Sequence, residues 1–137
     1  MSVETARTLI ETYYRTFNSG DREAFLALLT DDVVHDINQG GSEIGVAPFR
    51  AFLHRMDSCY REDIRDVVVM VNEDGSRAAA EFVVHGTYLS TDDGLPEAHG
   101  QGYVLPAGAF FTLRDGKVAR ISNFYNLPEW TRQVTGK

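Results

Sequence analysis

The chain has 137 residues, 43% hydrophobic and 24% charged, so it is expected to form one domain over residues 1–137 with a real core, not two. Its formal net charge of −7 argues against the basic face that nucleic-acid binding needs. Cys59 is the lone cysteine, so no intrachain disulfide can form; with no apolar leader near Met1 and no apolar run long enough for a bilayer, the expected address is the cytoplasm.

In chain order, the first predicted element is a helix over about Glu4 to Asn18. Ala6, Leu9, Ile10, Tyr13, Tyr14 and Phe17 recur at helical spacing and make one apolar stripe. Asn18-Ser19-Gly20 stops it, and Asp21 can cap a short second helix that carries Ala24, Phe25, Leu28 and Leu29. The stretch "TDDVVHDINQGG" follows as strand one, with Gln39 to Ser42 as a turn and Glu43 to Gly45 as a short return strand. A third helix starts near Ala47-Pro48, and Phe49, Phe52, Leu53, Met56 and Tyr60 form its stripe.

From Ile64 onward the period changes from helical to alternating. Ile64 to Asn72, Ala78 to Leu89, Tyr103 to Leu113 and Lys117 to Asn126 read as strands. Asn72 to Gly75 and Arg114 to Gly116 are hairpin turns. Thr91 to Gly102 is a longer polar connection, and Pro128 to Val134 reads as a final turn carrying Trp130. Helices first and an antiparallel meander afterwards imply an α+β domain with helices on one face of a curved sheet.

Alternation sorts the strand residues onto two faces. Ala80, Phe82, Val84, Gly86 and Tyr88 make the better core face of their strand. Leu105, Ala107, Ala109, Phe111 and Leu113 form an apolar set, and Ala119, Ile121, Asn123, Tyr125 and Leu127 share a face. In strand one, Val34, Asp36 and Asn38 oppose Val33, His35 and Ile37, and Asp36 is taken with the inward set. Polar atoms on Asn123, Tyr125, Tyr88 and Asp36 thus interrupt a mostly apolar concavity, the usual make-up of a small-molecule site. His85 falls on the outer face. No pair of histidines at ligand spacing, phosphate loop, nucleotide fingerprint or nucleophile elbow occurs, so neither metal nor cofactor is expected.

Three segments, "YYRTFNSGDREAFLALLTDDVVHD", "GVAPFRAFL" and "LPAGAFFTLRDGKVARISNFYN", carry a resemblance to the ketosteroid isomerase and SnoaL-like group of the NTF2-like superfamily. The resemblance implies a cone-shaped α+β barrel: a bent, mostly antiparallel sheet wrapped by three helices around a cavity. It also implies a homodimer formed through the outer sheet face, a place that suits His85. Ketosteroid isomerase uses an aspartate general base at the end of its first strand. Asp36 falls there when one residue is deleted from this strand. Its oxyanion-hole tyrosine is matched without a gap by Tyr13, while Tyr14 is taken as packing. Its second donor, a protonated aspartic acid, is matched by Ala109, and its buttressing tyrosine by Leu53. Losing one such donor costs about 2.7–4 kcal/mol of transition-state stabilisation, and Asn123 is the candidate replacement.

The expectation is therefore cofactor-independent acid–base chemistry (isomerisation, cyclisation or dehydration) on an apolar carbonyl-containing small molecule. Asp36 would move the proton and Tyr13 steady the oxyanion. Asn123 and Tyr125 would orient the substrate, with Phe82, Tyr88 and Ile121 as walls. The alternative is a non-catalytic ligand-binding or dimerisation module of the same fold. Epoxide hydrolysis with paired carboxylates is a third reading, for which Asp36 lacks an evident inward partner.

Overall fold

A computed structural model describes residues 1–38 and 40–137. Its elements are α1 (Val3–Ser19), α2 (Arg22–Leu26), β1 (Leu29–Asp36), β2 (Ser42–Ile44), α3 (Val46–Cys59), β3 (Tyr60–Val71), β4 (Arg77–Tyr88), β5 (Gly102–Arg114), β6 (Lys117–Tyr125) and α4 (Leu127–Thr135). The sheet order is β2-β1-β6-β5-β4-β3. β3 to β6 form the expected antiparallel meander. β1 joins it in parallel to β6. The result is the bent α+β sheet of the NTF2-like cone.

Local chemistry accounts for the helix ends. The Ser2 hydroxyl accepts from the Thr5 amide at the start of α1, and Gly20, at φ 82°, ends it with its amide on the Phe17 carbonyl. That left-handed turn is cheap only for glycine. Asp21 then caps α2 through the Ala24 amide. β3 is an edge strand, and its exposed backbone is taken up by α1. The Asn18 side chain accepts from the Ile64 amide and donates to the Ile64 carbonyl, both at 2.8 Å, and Arg7 donates to the Val69 carbonyl. Capping the free backbone in this way protects the edge.

Two expectations are corrected. Tyr60 is the first residue of β3, not the last of a helical stripe: alternation already holds through Tyr60, Glu62 and Ile64, which pair with Tyr88, Gly86 and Val84. Asp66, at φ 57°, marks a bulge in this strand. The final turn is a helix, α4, making four helices among the described residues. Asn126 caps it through the Glu129 amide, and Pro128 sits in its first turn. Of the expected turn at Gln39 to Ser42, Gln39 lies outside the described residues. Around it, Ile37 and Gly41 are joined by a backbone hydrogen bond of 2.9 Å.

Helices α1 and α3 lie on the concave side of the sheet. There the rings of Tyr13, Tyr14, Phe25, Phe49, Phe82 and Phe111 make one buried cluster. At the other end of the wall Trp130 of α4 closes on Tyr60, Tyr88 and Tyr103, at ring separations of 6.2, 5.0 and 6.0 Å.

Candidate active site

The concave wall is assembled from inward residues that pair across strands. His35 of β1 lies beside Ile121 of β6, and Ile121 beside Phe111 of β5. One step along, Asn123 pairs with Ala109 and Tyr125 with Ala107. The expected inward sets of β4 and β5 are those observed; that of β6 holds at Ile121 and Asn123, but a bulge brings Val118 to the inward face and Tyr125 is exposed. The set of β1 is the opposite one: Val33 and His35 are buried, while Val34 and Asp36 are not. Asp36 therefore faces away from the interior.

The two neighbours live in contrasting surroundings. His35 is 2% exposed. Its ring stacks on Phe49 of α3 at 4.3 Å and meets the edge of Phe52 at 4.6 Å. Its Nδ1 has no hydrogen-bond partner among the described residues. Burial pushes its pKa down to about 4, with the Asp36 charge working weakly the other way, so the ring is neutral near pH 7. On the outer side, the Asp36 carboxylate accepts from the hydroxyls of Ser122 and Ser42 and from Nε of Arg120, the last at 2.8 Å. Those donors, the serines foremost, hold its pKa at about 2. A carboxylate so satisfied has little tendency to take a proton. Its partners are serines and an arginine, not the second carboxylate that epoxide hydrolysis would use.

Tyr13 sits in the core against Phe25 at 4.6 Å and Phe111 at 5.2 Å, and burial raises its pKa. Tyr14, read from sequence as packing, carries the more informative hydroxyl. It is 6% exposed and packs on Phe82 at 5.0 Å, and its Oη has no partner among the described residues. Burial, with a contribution from Tyr13, raises its pKa, so both phenols remain protonated donors. Phe111 lies against both tyrosines and next to Ile121, which places them on the same part of the wall as His35. With Thr30 Oγ1, Tyr14 Oη and His35 Nδ1 are the three buried side-chain polar atoms without a partner among the described residues, and buried polar groups are nearly always hydrogen-bonded.

The remaining predicted residues fall as follows. Phe82 and Ile121 are buried in the wall. Asn123 is half-buried, with no side-chain hydrogen bond among the described residues. Tyr125 is partly exposed, and its carbonyl accepts from Asn38 at 3.2 Å. Tyr88 is fully buried, but its hydroxyl is committed: it donates to the Pro96 carbonyl at 2.6 Å and accepts from the Asp92 amide. Ala109 and Leu53 are buried apolar residues. His85 is half-buried on the outer face, paired with Asp63 and Val104. Sequence reasoning missed Glu62, which shares the inward face with Tyr60 and Ile64 through pairing with β4.

Architecture and wall define the class: an NTF2-like cone. Residues 10–121 match the SnoaL-like domain, and the chain belongs to that family. A Pseudomonas putida KT2440 protein whose name proposes a polyketide cyclase is 59% identical, with 98% of each chain covered and a TM-score of 0.93. A Xanthomonas campestris pv. campestris protein with the same proposed name is 55% identical over 96% of this chain and 98% of its own, also with a TM-score of 0.93. An NTF2-like protein of Burkholderia xenovorans LB400, 18% identical over 98% of both chains with a TM-score of 0.76, shares the fold. No curated protein matches the chain. Among the described residues, no helix is long and apolar enough to cross a membrane.

Proposed function

We propose that this chain converts an apolar carbonyl-bearing small molecule by cofactor-free acid–base chemistry, with His35 in the role that sequence reasoning gave to Asp36. The observation that carries the reading is the unpaired Nδ1 of His35 on an aromatic wall. A neutral imidazole with a free lone pair can take a proton α to a carbonyl. The electrons left behind become an enolate, and the protonated hydroxyls of Tyr13 and Tyr14 are suited to hold its oxygen. Returning the proton to another carbon completes an isomerisation. Attack of the enolate on a second carbonyl gives a cyclisation, and loss of water from that product a dehydration. The names of the close relatives support the cyclisation arm.

In this reading Asn123 and Tyr125 orient the substrate, and Phe82 and Ile121 form the walls, with Tyr88 contributing its ring. Phe49 and Phe52 cover His35, so substrate entry requires those rings to shift. The outer face suits a homodimer: Phe110, 59% exposed, and Phe124 pack edge to face there, with Val68, Met70 and Val104 also exposed. The apolar Ala109 and Leu53 favour the second reading, a binding module without turnover.

Deuterium exchange at the α-carbon of a panel of cyclic ketones and β-diketones, followed by NMR, reads proton abstraction without knowledge of the natural substrate. The wild type should accelerate exchange, and His35→Gln should lose at least about 100-fold, the usual contribution of a general base. Asp36→Asn should lose less than about threefold. Full activity in His35→Gln would overturn the assignment, and no acceleration by the wild type would favour the binding module.

A further inference from the structure

Glu62 is a carboxylate on the inward face of β3, where the fold has no evident need of one. It pairs with Gly86 of β4 between the Tyr60–Tyr88 and Ile64–Val84 pairs. Its Oε2 accepts from the Tyr103 hydroxyl, and its Oε1 has no hydrogen-bond partner among the described residues. Tyr103, 4% exposed, reaches it from β5 by lying across Gly86. A Cβ at that glycine would stand 2.2 Å from the tyrosine ring. Gly86 has ordinary strand geometry, so its role is room, not backbone freedom. A glycine inside a strand is unfavourable by itself, and here it makes the Tyr103–Glu62 contact possible.

We propose that Glu62 and Tyr103 form a second polar subsite, which takes a hydroxyl of a planar carbonyl compound; this rests on reading the interior as the reaction site. Oε1 is free to accept from a hydrogen-bond donor on a ligand. Burial works against the charged carboxylate, while the Tyr103 hydrogen bond and the Arg22 charge support it; with Arg22 already supplying positive charge, a neutral donor suits the position. The stacked rings of Tyr60 and Tyr88, 5.3 Å apart, and the indole of Trp130 flank the position with flat apolar surface, which suits a planar ligand.

The probe pair is 4-acetyl-4′-hydroxybiphenyl and its 4′-O-methyl ether, titrated calorimetrically into the full-length protein. The wild type should bind the hydroxyl compound about 10-fold more tightly, the effect of one well-placed hydrogen bond. Glu62→Met should bring the two within about twofold, and Tyr103→Phe should at least halve the preference by freeing the carboxylate to turn away. His35→Gln should leave the preference intact. Absence of a preference in the wild type, including failure to bind, overturns the subsite, as does full preference in a folded Glu62→Met. Should a thermal melt show that Glu62→Met does not fold, full preference in Tyr103→Phe overturns it instead. The preference is independent of turnover. A retained preference with unimpaired exchange in His35→Gln sinks the base assignment alone, and a missing preference with exchange lost in His35→Gln sinks the subsite alone.

Discussion

Adjacent residues of β1 meet two different worlds. Inside, His35 is stacked between aromatic rings with a ring nitrogen left unpaired. Outside, Asp36 is held by two serine hydroxyls and an arginine. On residue type alone, the carboxylate is the stronger candidate for a base in this kind of fold. Environment reverses the ranking. Three donors stabilise the charged form of Asp36, whereas Nδ1 of His35 has no hydrogen-bond partner among the described residues. The comparison teaches that a base is defined by what its surroundings leave unsatisfied, and that in a strand the choice of surroundings turns on a single residue of register.

The comparison breaks most visibly if His35→Gln keeps its activity in the exchange assay, where at least about a 100-fold loss is expected. A sharper test is Tyr14→Phe. It removes an unpaired buried hydroxyl, so folding stability in a urea titration should hold or rise, by up to about 1 kcal/mol. The same change should lower exchange about 10- to 100-fold if the hydroxyl serves an oxyanion. A merely structural tyrosine would give neither the split nor the sign.

The outer partner of the comparison predicts the converse behaviour. Asp36→Ala strands two serines and Arg120, and should cost about 1–2 kcal/mol of stability in a urea titration with exchange nearly unchanged.

Dependence on pH separates the two residues again. The folded-state pKa of His35, about 4, lies below the unfolded value of about 6.5. The unfolded chain therefore binds the extra proton first, and stability is lost as pH falls from about 6.5 to 4. The pKa of Asp36, lowered to about 2 from 3.8, gives stability that is lost only as pH falls from 3.8 toward 2. His35→Gln should flatten the upper window and Asp36→Asn the lower one in melts recorded across pH. The smallest effect on the fold is expected from Phe124→Lys on the outer face. Monomer stability should stay within about 0.5 kcal/mol, while light scattering should show dimer lost if that face is the dimer contact.

Much of this fold was readable from local pattern. The stripe of α1, the stop at Gly20, the hairpin turns and the inward sets of β4 and β5 all depend on residues near one another in the chain. The face of β1 does not. Val33 and His35 alternate with Val34 and Asp36, and both sets are half polar, so periodicity leaves the choice open. Pairing with β6, about 86 residues away, decides it. Family resemblance placed Asp36 at a catalytic position through a one-residue gap, and one residue in a strand exchanges its faces. Glu62 was hidden for a related reason: the run Tyr60 to Asp63 is mostly polar, and only its partners Tyr88 and Gly86 reveal it as strand. α4 was read as a turn because Pro128 is at once a helix starter and a turn residue.

The pH profile of α-carbon exchange, measured as kcat/KM in the wild type, Asp36→Asn and His35→Gln, separates His35 from Asp36 as the base, because that parameter reports the free protein's base. The expected profile rises through a midpoint near pH 4, is unchanged in Asp36→Asn and vanishes in His35→Gln. A midpoint near pH 2 that disappears in Asp36→Asn would contradict the account.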